Sequence, residues 1–282
     1  MWETRRAPVW TIAAVIAAQF LAAPFFNFVV FARHWFTPVS HATSGLINAT
    51  LLANATVLII VVGGVILLGG RLRPKDVGLT GGGTLATGAW FTLALWLTVN
   101  VLVAIVDLSK GTTFTLNEMW SKRGVPHVTG DLISQLFGNA LYEEIVWRGF
   151  LTVQVMLLLR PLGKTAAFIA GIVAVQALFA CMHVPMLLEK GRHWVEIWPI
   201  LPQLLVFGTA FAVLYLATGN LFVAIGTHAL GNAIVLVPPD PLSSSHALQL
   251  SDYLYVGVAL LAAMAWRLNR SNQVARPPAV TT

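Results

Sequence analysis

Three ionisable residues stand in an apolar run that should exclude them. The segment Leu141-Tyr142-Glu143-Glu144-Ile145-Val146-Trp147-Arg148-Gly149 puts two carboxylates and a guanidinium inside a stretch long enough to cross a bilayer. A charged group at the centre of a membrane helix costs roughly 2.5–3.5 kcal/mol on insertion scales, so such a cluster needs a purpose. Glu144 and Arg148 are four apart, meet on one helical face and can neutralise each other as an ion pair. Glu143 lies about 100° further around the helix, which leaves it to face a polar cavity.

Two later apolar runs add Phe179-Ala180-Cys181-Met182-His183 and His228-Ala229-Leu230-Gly231-Asn232. A single membrane histidine is often an interhelical hydrogen-bond donor; two histidines, an asparagine and an extra glutamate on three helices are the parts for hydrolysis. A carboxylate among apolar walls can act as general base towards water. A neutral imidazole can orient that water or receive its proton. An asparagine amide with a histidine N–H can stabilise an oxyanion, a donor whose loss costs roughly 10²–10³-fold in rate. Glu143, His183 and His228 are also an acceptable Zn²⁺ ligand set, so water attack on a carbonyl is expected with the metal or by the glutamate and histidines alone. The same intramembrane ionisable residues would also suit a proton-coupled transporter.

The rest of the chain must hold these side chains at membrane depth. Of its 282 residues 57% are hydrophobic and only 10% charged, which excludes a soluble body. The net charge of +6 is scattered between apolar runs and forms no stripe, so no nucleic-acid partner is expected. A lone cysteine excludes internal disulfides and multi-cysteine metal sites. Runs of about 20 apolar residues fall near 8–32, 46–69, 84–106, 131–159, 165–188, 198–218, 221–237 and 253–266. The expected fold is all-α, a polytopic transmembrane bundle of about eight helices with a polar intramembrane cavity. It is a single integral membrane domain over 1–282, with its catalytic core in 131–237 and a disordered tail in 269–282. The polar stretch 107–130 reads as the longest loop, with a short surface helix around 116–120.

Lys and Arg favour the side of the N-terminus, with Arg5, Arg6, Arg71, Arg73 and Lys75 prominent there, against Arg33, Lys110, Lys122, Arg123, Lys190 and Arg192 opposite. A multi-pass protein of the plasma membrane with both termini cytoplasmic follows. His183 lies near the end of its span on the side opposite the termini, so the site would open away from the cytoplasm. Trp10, Trp35, Trp194, Trp198 and Trp266 sit near span ends, as interfacial anchors do. Cys181 is expected to be a buried structural thiol and Asn54, Asn100, Asn139 and Gln176 to be helix–helix hydrogen bonders, with support of Glu143 from one turn away as the alternative for Asn139.

Glu143-Glu144 with Arg148, Phe179 with His183, and His228 with Asn232 resemble, in that order, the E-E-x-x-x-R, F-x-x-x-H and H-x-x-x-N motifs of the CPBP (Abi) intramembrane endopeptidases. That family includes the type II CAAX prenyl proteases and bacteriocin-processing or immunity proteins. The basic stretch 71–79, with Pro74 and Gly78-Leu79, resembles a loop common upstream of the family's core. Trp147 replaces a more usual phenylalanine. The resemblance implies that Glu143 activates water with help from His183, that His228 and Asn232 line the oxyanion site, and that Glu144 and Arg148 support them. It implies a membrane-associated peptide or lipidated protein as substrate, with a prenylated CAAX tail as one case. It also leaves room for a non-catalytic immunity or scaffold protein of the same fold. The H-E-x-x-H, G-x-S-G and G-x-G-D signatures of other intramembrane proteases are missing from the sequence.

Overall fold

The computed structural model describes residues 4–111, 118–233 and 250–274. Ten helices are found among the described residues, and no strand. Where an α-helix runs directly into a π-helical stretch the two are taken as one, as are the α-helical pieces either side of Met182–His183, and the 3₁₀ turns Pro74–Val77 and Arg160–Leu162 are left uncounted. In chain order they are α1 (Val9–Phe31), α2 (Thr37–Ala42), α3 (Ala49–Gly69), α4 (Gly82–Ser109), α5 (Met119–Arg123), α6 (125–158), α7 (Lys164–Glu189), α8 (Trp194–Thr218), α9 (Leu221–Asn232) and α10 (Leu250–Val274). The all-α membrane bundle expected from the sequence is the fold observed.

Five of these helices, α1, α3, α4, α7 and α8, are long and apolar enough to cross a membrane. Their outer faces bear large apolar side chains that would be untenable in water: Leu21, Ile59, Trp90 and Val195 are each more than 70% exposed. The five tryptophans expected near the interfaces are all exposed close to helix ends. The two helices that carry most of the charged and hydrogen-bonding chemistry do not qualify as spans. α6 is too polar. α9 has 12 residues, a rise of about 18 Å against a hydrocarbon core of about 30 Å. Both are interior elements. Every residue of α6 from Glu144 to Thr152 is buried, and so is almost all of α9. α9 packs on α4, α6, α8 and α10, while α8 packs on α7 and α10.

Several boundaries differ from the sequence expectation. The long loop expected over 107–130 is shorter, because α4 runs on to Ser109 and α6 begins at Val125. Gly124, at φ 80°, turns the chain, and Pro126 fits the first turn of α6, where its missing N–H costs nothing. A short helix does lie near the expected place, at Met119–Arg123, whereas 112–117 lie outside the described residues. α9 ends at Asn232, and the rest of the expected span to 237 falls outside the described residues. The tail expected from 269 is helical as far as Val274, because α10 continues through it; 275–282 are not described. Cys181 is exposed where a buried thiol was expected, since its spacing of two from His183 turns it off the cavity-facing side of α7.

Glycine permits the closest approaches to α6. A Cβ at Gly149 would stand 2.2 Å from the Val77 carbonyl oxygen. The residue after Arg148 therefore lets the basic 71–79 loop lie directly on α6. That loop is pinned by Asp76, which accepts from the Arg73 backbone N–H at 2.9 Å and its Nε at 3.1 Å. Gln154 clamps the N-terminal segment to α6, accepting from the Ala7 N–H at 2.8 Å and donating to the Arg5 carbonyl at 2.9 Å. Because the obstacle at Gly149 is backbone, Gly149→Ala is expected to cost about 1–3 kcal/mol. Gly63→Ala in α3, where a Cβ meets nothing within 4 Å, should be tolerated. Thermal unfolding in detergent compares the two.

Candidate active site

α6 has two π-helical stretches, Gln135–Asn139 and Glu144–Thr152, with the single α-helical turn Ala140–Glu143 between them. Single π-helical turns inside α-helices are frequent at functional sites, because the changed register re-aims side chains. Here the two adjacent glutamates go to different places. Glu143 reaches a cavity of about 680 Å³, while Glu144 and Arg148 lie behind its wall at 0% exposure.

Glu144 Oε1 has two partners. Arg148 Nη1 is 2.9 Å away as an ion pair, and His228 Nδ1 is 2.7 Å away across the α6–α9 interface. The guanidinium lies over the Phe179 ring, 4.2 Å from its centroid, and 5.4 Å from that of Phe211. Aromatic faces thus take part of the place of water around a buried cation. Phe211 also stacks on His228, with centroids 4.8 Å apart. Next to the pair, Gln176 donates to Thr152 Oγ1 at 3.0 Å, the interhelical bond expected of it, and Thr152 donates to the Trp147 carbonyl at 2.7 Å.

The two imidazoles present the same face chemically. The ion-paired carboxylate of Glu144 accepts from His228 Nδ1–H, so in the neutral ring Nε2 carries the lone pair; Nε2 lies 3.7 Å from Glu143 Oε2. His183 sits where α7 breaks, just before Pro185. Its backbone N–H turns back to the Ala180 carbonyl, and its ring Nδ1 donates to the Phe179 carbonyl at 2.9 Å. A carbonyl can only accept, so Nε2 of His183 is again the lone-pair nitrogen. The Phe179 and His183 rings meet edge to face at 4.6 Å.

Glu143, His183, His228 and Asn232 all line the one cavity, together with Asn139. Asn232 is at its exposed rim and spends one amide N–H on Gln135 Oε1 at 3.1 Å. Two residues here carried no signal in the sequence. Gln135 is a lone polar residue whose partner is 97 positions away, and Phe211 is one aromatic among many. The possible Zn²⁺ set is not assembled: among the described residues no three His, Cys, Asp or Glu side chains form a group able to hold a metal ion.

The cavity is lined by the later part of α1, the start of α3, the middle of α6 and of α8, the ends of α7 and α9 and the start of α10. Along the chain α1 leads towards the cavity and α3 leads away from it, so the cavity lies towards the end of α1 opposite to the one where that helix begins.

With these helices placed, the chain can be set beside known proteins. Residues 126–234 match the family described as type II CAAX prenyl endopeptidase Rce1-like. All three motifs fall inside that stretch, and the resemblance to CAAX-protease-like proteins is shown there. The family is one of endopeptidases, hence of hydrolases. No curated protein and no solved structure matches the chain.

If the Glu144 carboxylate is the hub just described, removing its cation should be worse than removing the pair. Arg148→Met is expected to cost about 3–5 kcal/mol by leaving a buried carboxylate uncompensated. The Glu144→Gln/Arg148→Met double variant should recover part of that loss. Unfolding of the single and double variants in detergent measures the difference.

Proposed function

We propose that this protein is an intramembrane endopeptidase that hydrolyses a peptide bond of a membrane-associated substrate by glutamate-activated water. The observation that carries the reading is the joint lining of one membrane-level cavity by Glu143, His183, His228 and Asn232, with the Glu144–Arg148 pair buried behind them. Water held between Glu143 and the His183 Nε2 lone pair gives its proton to the Glu143 carboxylate as its oxygen bonds to the scissile carbonyl carbon. The carbonyl π electrons become an oxyanion. The second amide N–H of Asn232, the one not spent on Gln135, is its donor.

His228 enters in a second step. Its Nε2 accepts the proton from Glu143 and becomes a donor only then, stabilising the oxyanion as an imidazolium held by Glu144. As the C–N bond breaks, the proton passes to the leaving nitrogen and the carbonyl reforms. Mass and charge balance with one water consumed per bond cut. These steps are carried by the side chains of the chain itself.

The membrane-associated substrate class includes prenylated tails, and a farnesylated peptide ending in a CAAX sequence is the probe we choose. With purified protein in detergent, wild type should release the carboxy-terminal tripeptide. Glu143→Gln should abolish release with unfolding unchanged, and Asn232→Leu should lower the rate by about 10²–10³. Full activity in Glu143→Gln would reject the reading. Flux of a solute across vesicles that Glu143→Gln removes would support a transporter in its place.

The bias of Lys and Arg supports cytoplasmic termini, and with them the cavity opens away from the cytoplasm. Thr80 and Ser121 are exposed and stand before and after α4, so a membrane crossing by that helix puts them on opposite sides. In a Cys181→Ser background, a membrane-impermeant maleimide applied to intact cells should label Ser121→Cys and spare Thr80→Cys. The reverse pattern would turn the cavity towards the cytoplasm, where prenylated tails reside.

A further inference from the structure

The part of the cavity wall built by α1 and α3 lies outside the stretch that matches the peptidase family. It carries three side-chain amides at membrane depth, Gln19, Asn27 and Asn54. In a bilayer such residues most often join helices. For Asn27 and Asn54 the hydrogen bonds say otherwise. Asn27 Nδ2 donates to the Ala23 carbonyl at 2.7 Å, and Asn54 Nδ2 donates to the Thr50 carbonyl at 2.9 Å. Each bond runs four residues back along the same helix and bridges nothing. Each amide therefore keeps its oxygen and its second N–H for the cavity it lines. Gln19 is buried, accepts from the Tyr142 hydroxyl at 2.7 Å, and leaves its Nε2 buried without a partner.

These unspent groups match a need that the substrate creates. Every backbone N–H and C=O drawn into a membrane-level cavity loses its water and requires a protein partner. A primary amide presents one acceptor beside its donors, the complement of one peptide unit. Gln19 and Asn27 are eight residues apart on α1, about 12 Å along the axis, which is the span of about three to four residues of extended peptide. We propose that Asn27 and Asn54, with Gln19 deeper in the wall, form the subsite that binds the backbone of an extended substrate peptide alongside Glu143. The proposal rests on the peptidase reading and assigns substrate binding to helices the family match does not cover. Recognition through backbone groups makes the wall indifferent to side-chain identity and sensitive to backbone methylation.

The test measures affinity, which needs no cleavage. The farnesylated CAAX peptide is titrated onto the Glu143→Gln protein in detergent, with and without Asn27→Leu or Asn54→Leu, leucine being close to asparagine in size. Each substitution should raise Kd about threefold to tenfold, the worth of one net hydrogen bond. The unfolding temperature should stay put, because the bonds removed lie within single helices. A probe methylated on a backbone nitrogen beside the scissile bond should bind the Asn54 protein more weakly than the parent probe, and that difference should shrink in Asn54→Leu. Equal Kd values across the asparagine variants, or no binding by the Glu143→Gln protein, would overturn the proposal. Asparagine-dependent binding without cleavage by wild type would keep the subsite and reject the peptidase. Cleavage with asparagine-independent binding would do the reverse.

Discussion

One carboxylate oxygen, Glu144 Oε1, holds this molecule's interior together. It neutralises Arg148 at 2.9 Å and accepts from His228 at 2.7 Å, with the glutamate and arginine wholly shielded. Taking two charges out of water costs several kcal/mol per ion, and attraction repays it only where the geometry is good and hydrogen bonds satisfy the remaining polar atoms. Glu144 Oε2 and the guanidinium nitrogens are buried without hydrogen-bond partners, so for the arginine the faces of Phe179 and Phe211 stand in their place, and Phe211 also stacks on the histidine. The same contact fixes α9 to α6, selects the tautomer of His228 and directs its second nitrogen towards Glu143. Position, protonation and packing thus depend on a single atom.

The distribution of polarity follows from that requirement. The helices apolar enough to face lipid form the outside, and the two that could not face it alone, α6 and α9, are enclosed by them. In a water-soluble protein the polar helices would be at the surface. Here the solvent is hydrocarbon, so they occupy the centre, and a cavity can exist there only because polar side chains line it.

Much of the site could be read from the sequence because charges are so scarce in it. Glu143, Glu144 and Arg148 stand out against an apolar background, and the i, i+4 spacing alone announces the ion pair. What spacing could not reveal is the second partner of Glu144, 84 residues away, since long-range contacts leave no periodic trace. The same reason hid Gln135 and Phe211. The first turns of α6, before 131, were legible only as a loop, because Pro126 and His127 look like turn and surface residues although they suit the exposed first turn of a helix. Cys181 was misjudged from the residue type's habit of burial, which holds for water-soluble cores and weakens where an outer helix face meets lipid. For Asn54 an interhelical bond was expected, and the residue bonds to its own helix instead.

The shortness of α9 bears on how the protein is made. About 18 Å of helix cannot hold a transmembrane position unaided, and α9 follows α8 after a turn of only Gly219 and Asn220, with Gly219 in the left-handed conformation. It must enter the bilayer as the second arm of a hairpin, into a slot that α4, α6 and α8 have already formed during synthesis. His228 is on that arm. A nascent chain halted before α9 has the glutamates in place but no histidine on Glu144, and the interior closes only once α10, which packs on α9 and brings Val256 to the cavity, has followed.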